Sequence, residues 1–237
     1  AGYYAYLPSL FLYGNLSFEE LAVDHYEGAI PPWTGIRRIK GDGAYLNRYS
    51  LGSAVLMSPF FLTGHLLASI LPGQDPPGYS FIYQHAAGLA GLCYMVLGLV
   101  LLRKVLLRSV TAPVAALTLY ALILGSNLLN YGSGDTVNSH AYSFFLFCAL
   151  LYLVPAWHSA PGSISKTVLL GAVAGLIPMV RVPNAIALLL IPLYGLTGLK
   201  ETRSHLVKQG SQWKSYLLLG LVALAVFSPQ LLYWKSA

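Results

Sequence analysis

Five stretches of the chain carry no Asp, Glu, Lys or Arg: Tyr49 to Gln74, Pro76 to Leu102, Ser109 to Gly134, Thr136 to Ser165 and Ser215 to Trp234. Each can hold the roughly 20 apolar residues that cross about 30 Å of hydrocarbon as a helix. In lipid only helices and closed barrels satisfy their own backbone groups, and these runs are continuously apolar rather than alternating. The pattern predicts an all-α fold, a polytopic transmembrane helical bundle.

Loop charge sets the orientation. The loop after the second run contains Arg103, Lys104 and Arg108, and short basic loops stay on the cytoplasmic side. A helix over 112–131 then runs outward, the loop Gly132 to His140 without Lys or Arg lies outside, and a helix over 141–157 returns. Lys200, Arg203, Lys208 and Lys214 are expected inside as well. A single crossing would strand Lys200 on the wrong side, so 167–199 must enter and leave as a hairpin. Its turn is predicted near Arg181-Val182-Pro183-Asn184, because the residue before a proline is pushed out of the helical region. The rising arm, Thr167 to Val180, covers only about 21 Å at 1.5 Å per residue, which sets Arg181 below the outer surface. A last helix, 216–234, exits outward. For the first run, residues 50–70, two placements fit: it spans, or it lies along the outer interface.

Composition agrees with this placement. The 237 residues include 14 Lys+Arg and 8 Asp+Glu, only 9% charged, at a mean hydropathy of +0.63. Soluble domains average about 25% charged residues, so an ordinary cytosolic enzyme, a disordered chain and a coiled coil are all excluded. The net charge of +6 sits in short loops between apolar runs, which is the signature of membrane orientation and not of nucleic-acid binding. Cys93 and Cys148 lie inside apolar runs without partner spacing and read as small buried hydrophobes.

Hydrolase triads, Cys-x-x-Cys, His-Glu-x-x-His and phosphate-cradling glycine motifs are all missing from the sequence. What remains is polar chemistry beside the membrane, where it is costly and usually lines a site. Gly2-Tyr3-Tyr4-Ala5-Tyr6-Leu7-Pro8 is aromatic and uncharged, suited to an interfacial anchor. Asp42-Gly43-Ala44-Tyr45-Leu46-Asn47-Arg48-Tyr49 ends on a cation that either captures phosphate or snorkels to headgroups. The loop Asn130 to His140 holds Asp135, Asn138 and His140. Asp135 and His140 could contribute to a divalent cation site, but two ligands do not define one. Arg181, followed by Asn184, calls for an anion or a helix carbonyl. A guanidinium holds phosphate bidentately, so Arg48 and Arg181 suggest handling of a lipid-linked phosphate at the outer face.

These residues resemble a known family. Gly2-Tyr3-Tyr4-Ala5-Tyr6-Leu7-Pro8 is similar to the segment after the first transmembrane helix of GT-C superfamily integral-membrane glycosyltransferases of the protein O-mannosyltransferase and aminoarabinose transferase type. Asn47-Arg48-Tyr49-Ser50-Leu51-Gly52, with Pro59-Phe60-Phe61, resembles a second family segment, although Ser50 and Leu51 stand at its usual proline positions. The loop with Asp135, Ser139, His140 and Ser143-Phe144-Phe145 resembles the family's third outer loop. Val180-Arg181-Val182-Pro183-Asn184 resembles its valine-arginine-proline turn, and Phe227 to Trp234 also looks familial.

The resemblance implies an extracytoplasmic first loop with juxtamembrane helices over 1–78, with 50–70 outside, followed by a bundle over 79–237 of about six membrane segments. It implies transfer of a sugar from a polyprenyl-phosphate carrier to a glycan, lipid or protein acceptor. The site would lie on the periplasmic or extracellular side of a bacterial inner membrane. An Asp of the first loop would act as general base, and arginines would stabilise the phosphate leaving group. Substrate contacts are expected from Tyr3, Tyr4, Tyr45, Asn47, Arg48, Asn138, His140, Arg181 and Asn184. The family's base precedes the tyrosine pair and would fall upstream of Ala1, as in a fragment. Asp42 and Asp135 are the substitutes within the chain. Two other classes fit the same residues, a transporter or flippase of lipid-linked glycans and a non-catalytic membrane protein.

Overall fold

The computed structural model describes residues 2–28, 30–39, 45–71, 78–160, 162–198, 207 and 209–236. It is 76% helical with almost no strand. In chain order come α1 (Gly2–Phe11), α2 (Glu19–Tyr26), a 3₁₀ turn (Pro32–Thr34), and strands β1 (Ile36–Arg38) and β2 (Tyr45–Asn47). Then follow α3 (Gly52–Ile70), α4 (Phe81–Leu106), α5 (Ala112–Gly125), α6 (Leu128–Ser133) and α7 (Ser139–His158). The chain ends with α8 (Ile164–Val180), a 3₁₀ segment (Val182–Leu189), α9 (Leu190–Leu193) and α10 (Trp213–Ser236). Helices α3, α4, α7 and α10 are long and apolar enough to cross a membrane. The chain is thus an all-α integral membrane protein whose partner is the lipid bilayer.

Details depart from the sequence expectation where polar or imino residues compete with the helix. The predicted helix over 112–131 stops at Gly125 and resumes at Leu128. There Ser126 Oγ donates to Leu122 O at 2.6 Å and accepts the Leu128 N–H at 3.2 Å, so a side chain does the work of the helical ladder. The descending arm of the 167–199 hairpin is a 3₁₀ segment with Pro183 in its first turn, followed by a single α-turn. Basic Arg103 and Lys104 lie within the last turn of α4 and not beyond it, where cations are favourable beside exposed carbonyls.

Two compact units are present: residues 1–96 with 121–142 and 236–237, and residues 97–120 with 143–235. In the first, α1 packs along α3 through aromatic rings. Tyr4 meets Phe61 edge-on at 5.9 Å, Phe11 stacks on Phe61 at 5.9 Å, and Phe61 lies 5.2 Å from Tyr83. Such pairs contribute about 0.5–1.5 kcal/mol beyond area burial. Pro8, which cannot donate within the helix, ends α1 by accepting both Leu12 N–H at 2.9 Å and Tyr13 N–H at 3.2 Å. Phe18, before α2, adopts φ 59°, a left-handed strain held by burial of its ring against Tyr6 at 5.5 Å. His25 of α2 stacks on Tyr79 at 3.8 Å, and loss of water around the ring pulls its pKa below the ordinary value.

The second unit is held by close helix approach. Gly171 and Gly175, four residues apart on α8, face α10; a Cβ at Gly175 would lie 2.5 Å from Ala223 O and 2.8 Å from Val226 Cβ. This is the small-xxx-small contact by which helices associate in lipid, where apolar burial gives no net drive. Polar bonds complete it: Trp157 Nε1 donates to Thr167 Oγ1 at 2.9 Å in the interior. Arg108 donates to Tyr152 O at 3.3 Å with its guanidinium 4.8 Å from the Tyr152 ring.

Two outcomes are expected. Gly175→Ala should destabilise the protein by about 1–3 kcal/mol through overpacking, read as a lowered melting temperature in detergent, while Gly220→Ala, which meets open space, should leave it unchanged or raised. The folded pKa of His25 lies below its unfolded value of about 6.5, so the unfolded chain binds the proton more readily. The docking of α2 is therefore fully stable above about pH 6.5 and weakens as pH falls below it towards the depressed folded value. Amide exchange of residues 19–26, corrected for intrinsic rates, should speed up on acidification in the wild type and lose that dependence in His25→Gln.

Candidate functional site

The first two polar segments of the sequence meet in one place. Asn47, the last residue of β2, is buried at 2% exposure. Its Nδ2 donates to Gly2 O at 2.7 Å and its Oδ1 accepts the Tyr49 N–H at 3.1 Å, so the start of α1 and the end of the ribbon are tied by one amide. Only glycine fits at position 2, because a Cβ there would run into Thr34 O, the Tyr49 ring and Asn47 Oδ1. Gly35, at φ 78°, passes under the same Tyr49 ring and accepts the Arg48 N–H at 3.1 Å.

On this base stands an aromatic and cationic group. Tyr3 lies 4.4 Å from Tyr49 between ring centroids. Arg48 is exposed, its guanidinium 5.0 Å from the Tyr49 centroid and donating to Tyr49 Oη at 3.0 Å. That bond to the Tyr49 hydroxyl is the main cause that raises the Arg48 pKa. The cation is thereby fixed in place with donors still facing outward. Tyr6 Oη donates to Tyr49 O at 2.5 Å, Tyr4 Oη to Gly78 O, and Tyr45 Oη to Gly28 O at 3.2 Å. Burial pushes the Tyr4 hydroxyl up, so it remains a neutral donor. Tyr4, Tyr6 and Asn47 thus position the group, while Tyr3, Arg48 and Tyr49 present it. Asp42 lies outside the described residues.

The third polar segment is also part of the first unit. The exposed Asp135 accepts from Asn138 Nδ2 at 3.0 Å, Asn138 Oδ1 accepts the Ser139 N–H at 2.7 Å at the start of α7, and His140 stacks on Tyr131 at 4.1 Å. The loop lies directly on α4, because Gly91 lacks the Cβ that would collide with the Thr136 backbone. Among the described residues no three His, Cys, Asp or Glu side chains group as metal ligands.

The fourth segment belongs to the second unit. Arg181 ends α8 in an extended conformation, φ −152°, with its N–H on Ile177 O at 3.3 Å and its side chain exposed. Asn184 returns its N–H to Arg181 O at 2.9 Å and donates through Nδ2 to Ser143 Oγ at 2.9 Å. The turn is thus pinned to α7.

Sequence reasoning passed over Tyr49 as a platform, Gly35 beneath it, and His85, an imidazole near the start of α4. His85 lines two cavities of the first unit. One, about 570 Å³, is an apolar groove between α3 and α4; the other, about 490 Å³, lies between α4 and the loop around Thr136. A lone histidine in a charge-free run was the available signal.

Asn47→Leu should cost about 1–3 kcal/mol, since it leaves the Tyr49 N–H without its partner and removes the side-chain tie to the Gly2 carbonyl. The loss is expected as faster amide exchange over both 2–11 and 45–49, a joint response that two independent segments would not give. Compared with family models, curated proteins and solved structures, the chain finds no match.

Proposed function

We propose that the chain is a glycosyltransferase of the bacterial cell envelope, transferring a sugar from a polyprenyl-phosphate donor to an acceptor at the periplasmic or extracellular face of the inner membrane. The reading rests on the resemblance to GT-C, mannosyltransferase-like enzymes. The observation that carries it is the union, through Asn47, of Gly2-Tyr3-Tyr4 with Asn47-Arg48-Tyr49, which presents an outward-facing guanidinium held on an aromatic ring.

In the proposed reaction an acceptor hydroxyl oxygen attacks the anomeric carbon. Its proton passes to a carboxylate, the new C–O bond forms as the bond to the carrier phosphate breaks, and the phosphate oxygen leaves with the electron pair. Arg48 would neutralise the phosphate; Arg181 is the second cation that the resemblance implies, on the other unit. Tyr3 and Tyr49 offer ring faces to a sugar. The base implied by the resemblance precedes the tyrosine pair; within this chain Asp135 is the described carboxylate beside a polar loop.

The test is transfer of labelled sugar from a synthetic polyprenyl-phosphate donor by the intact protein in lipid vesicles. Arg48→Ala should lower turnover by about 10²–10³-fold, with Arg48→Lys retaining part of it. Arg181→Ala and Asp135→Asn should each reduce transfer while membrane insertion stays normal. Unchanged transfer by all of these variants would falsify the assignment.

A further inference from the structure

We propose that the outward face of the two-stranded ribbon is a binding site for a lipid-borne phosphate monoester, held between Arg37 and Arg48. The register of the ribbon decides which side chains share that face. Ile36 pairs with Asn47, Arg37 with Leu46 and Arg38 with Tyr45. Paired residues lie on one side of a ribbon and successive residues on opposite sides. Ile36 and Asn47 are both buried at 2% exposure, so their side faces the interior, and Arg37 and Leu46 face away from it. The Arg48 N–H on Gly35 O carries the pairing one step further, which sets Arg48 on the side of Leu46. Arg37 and Arg48 are thus diagonal neighbours on one face, with Cβ atoms about 7–8 Å apart by ribbon geometry.

Like charges at that spacing repel, and an anion between them relieves the repulsion. Arg37 is exposed, and among the described residues it has no hydrogen-bond or ion-pair partner. Arg48 is fixed without a carboxylate: it donates to Tyr49 Oη at 3.0 Å, and its Nε lies over Gly35, 3.0 Å from where a Cβ would stand. Tyr49 Oη accepts that bond, so its own O–H is left to donate, and no acceptor among the described residues takes it. The side chains of this face therefore offer two cations and a hydroxyl, all donors, and suit an anion that only accepts. A phosphate monoester bears about −1.5 to −2 charge and three acceptor oxygens at pH 7. A diester bears a single negative charge, so two guanidinium groups favour the monoester. The membrane is its source: Trp33, in the turn before Gly35, is 79% exposed, and a tryptophan exposed beside cations suits the boundary of lipid and water. The binding site stands without the glycosyl-transfer reading. Resting on that reading, it is where the leaving group is held: the donor is a diester and the released carrier phosphate a monoester, so the pair binds more strongly as the bond to the sugar breaks. Arg37 then supplies a second cation within the first unit.

The experiment uses the intact protein in a non-ionic detergent, without sugar donor, and reads lipid binding by native mass spectrometry. Short-chain phosphatidic acid, a monoester, should bind about tenfold more tightly than the matching phosphatidylglycerol, a diester, a difference of about 1.4 kcal/mol. Arg37→Gln should bring the two affinities together, and Arg37→Lys should keep part of the difference. Arg38→Gln removes the same charge from the other side of the ribbon and should leave the preference in place. If Arg37→Gln fails to fold, Arg48→Gln on the same face serves instead. Equal affinity for the two lipids, the same loss of preference in Arg38→Gln as in Arg37→Gln, or inorganic phosphate that competes as well as phosphatidic acid would overturn the site. A monoester preference that depends on Arg37, in a protein that transfers no sugar, would instead count against the enzyme reading alone.

Discussion

A backbone that enters hydrocarbon must satisfy its own hydrogen bonds, because no solvent there will do so. Most of this chain follows from that demand. It removes strands from the apolar runs, confines the two-stranded ribbon seen among the described residues to Ile36–Arg38 and Tyr45–Asn47, and leaves helix contacts without a hydrophobic drive of the aqueous kind. Association then rests on how closely backbones approach, and glycine is the residue that permits it. Gly171 and Gly175 do so between α8 and α10, Gly64 between α3 and α4, and Gly91 between α4 and the Thr136 loop.

Outside the runs the rule changes, and polar side chains become the connectors. Asn47 shows this most directly: one buried amide binds both the carbonyl at the start of α1 and the N–H after β2, and the Tyr6 hydroxyl adds a second tie to Tyr49 O.

Much of the fold was legible because charge-free runs are a one-dimensional signal. The runs after Tyr49, Pro76, Thr136 and Ser215 became α3, α4, α7 and α10. The break at Ser126 was not legible, since a serine that caps a helix locally reads the same as one that points away. The meeting of Tyr3 with Tyr49 was equally hidden: it joins residues far apart in the chain through Asn47, and nothing in either segment names the other. The local bonds of Ser133, Gln84 and His85 also required coordinates, because each engages a helix carbonyl or turn carbonyl that the sequence does not name.

The return arm after Arg181 shows how a helix type can serve as a ruler. Asn184 is tied to Ser143 and the Ile191 carbonyl accepts from His158 Nε2 at 2.8 Å. Those two anchors on α7 stand about four turns apart, roughly 22 Å. Seven steps of α-helix would cover only about 10 Å, whereas the 3₁₀ form to Leu189, rising about 2.0 Å per residue, with the α-turn after it covers about 13 Å and leaves the remainder to the two side chains. A strand of chain too short to match its neighbour as an ordinary helix has been drawn out to keep pace with it. Lengthening that arm by a residue or two would let it relax into the wider coil, at the expense of the slender profile that now fits against α8.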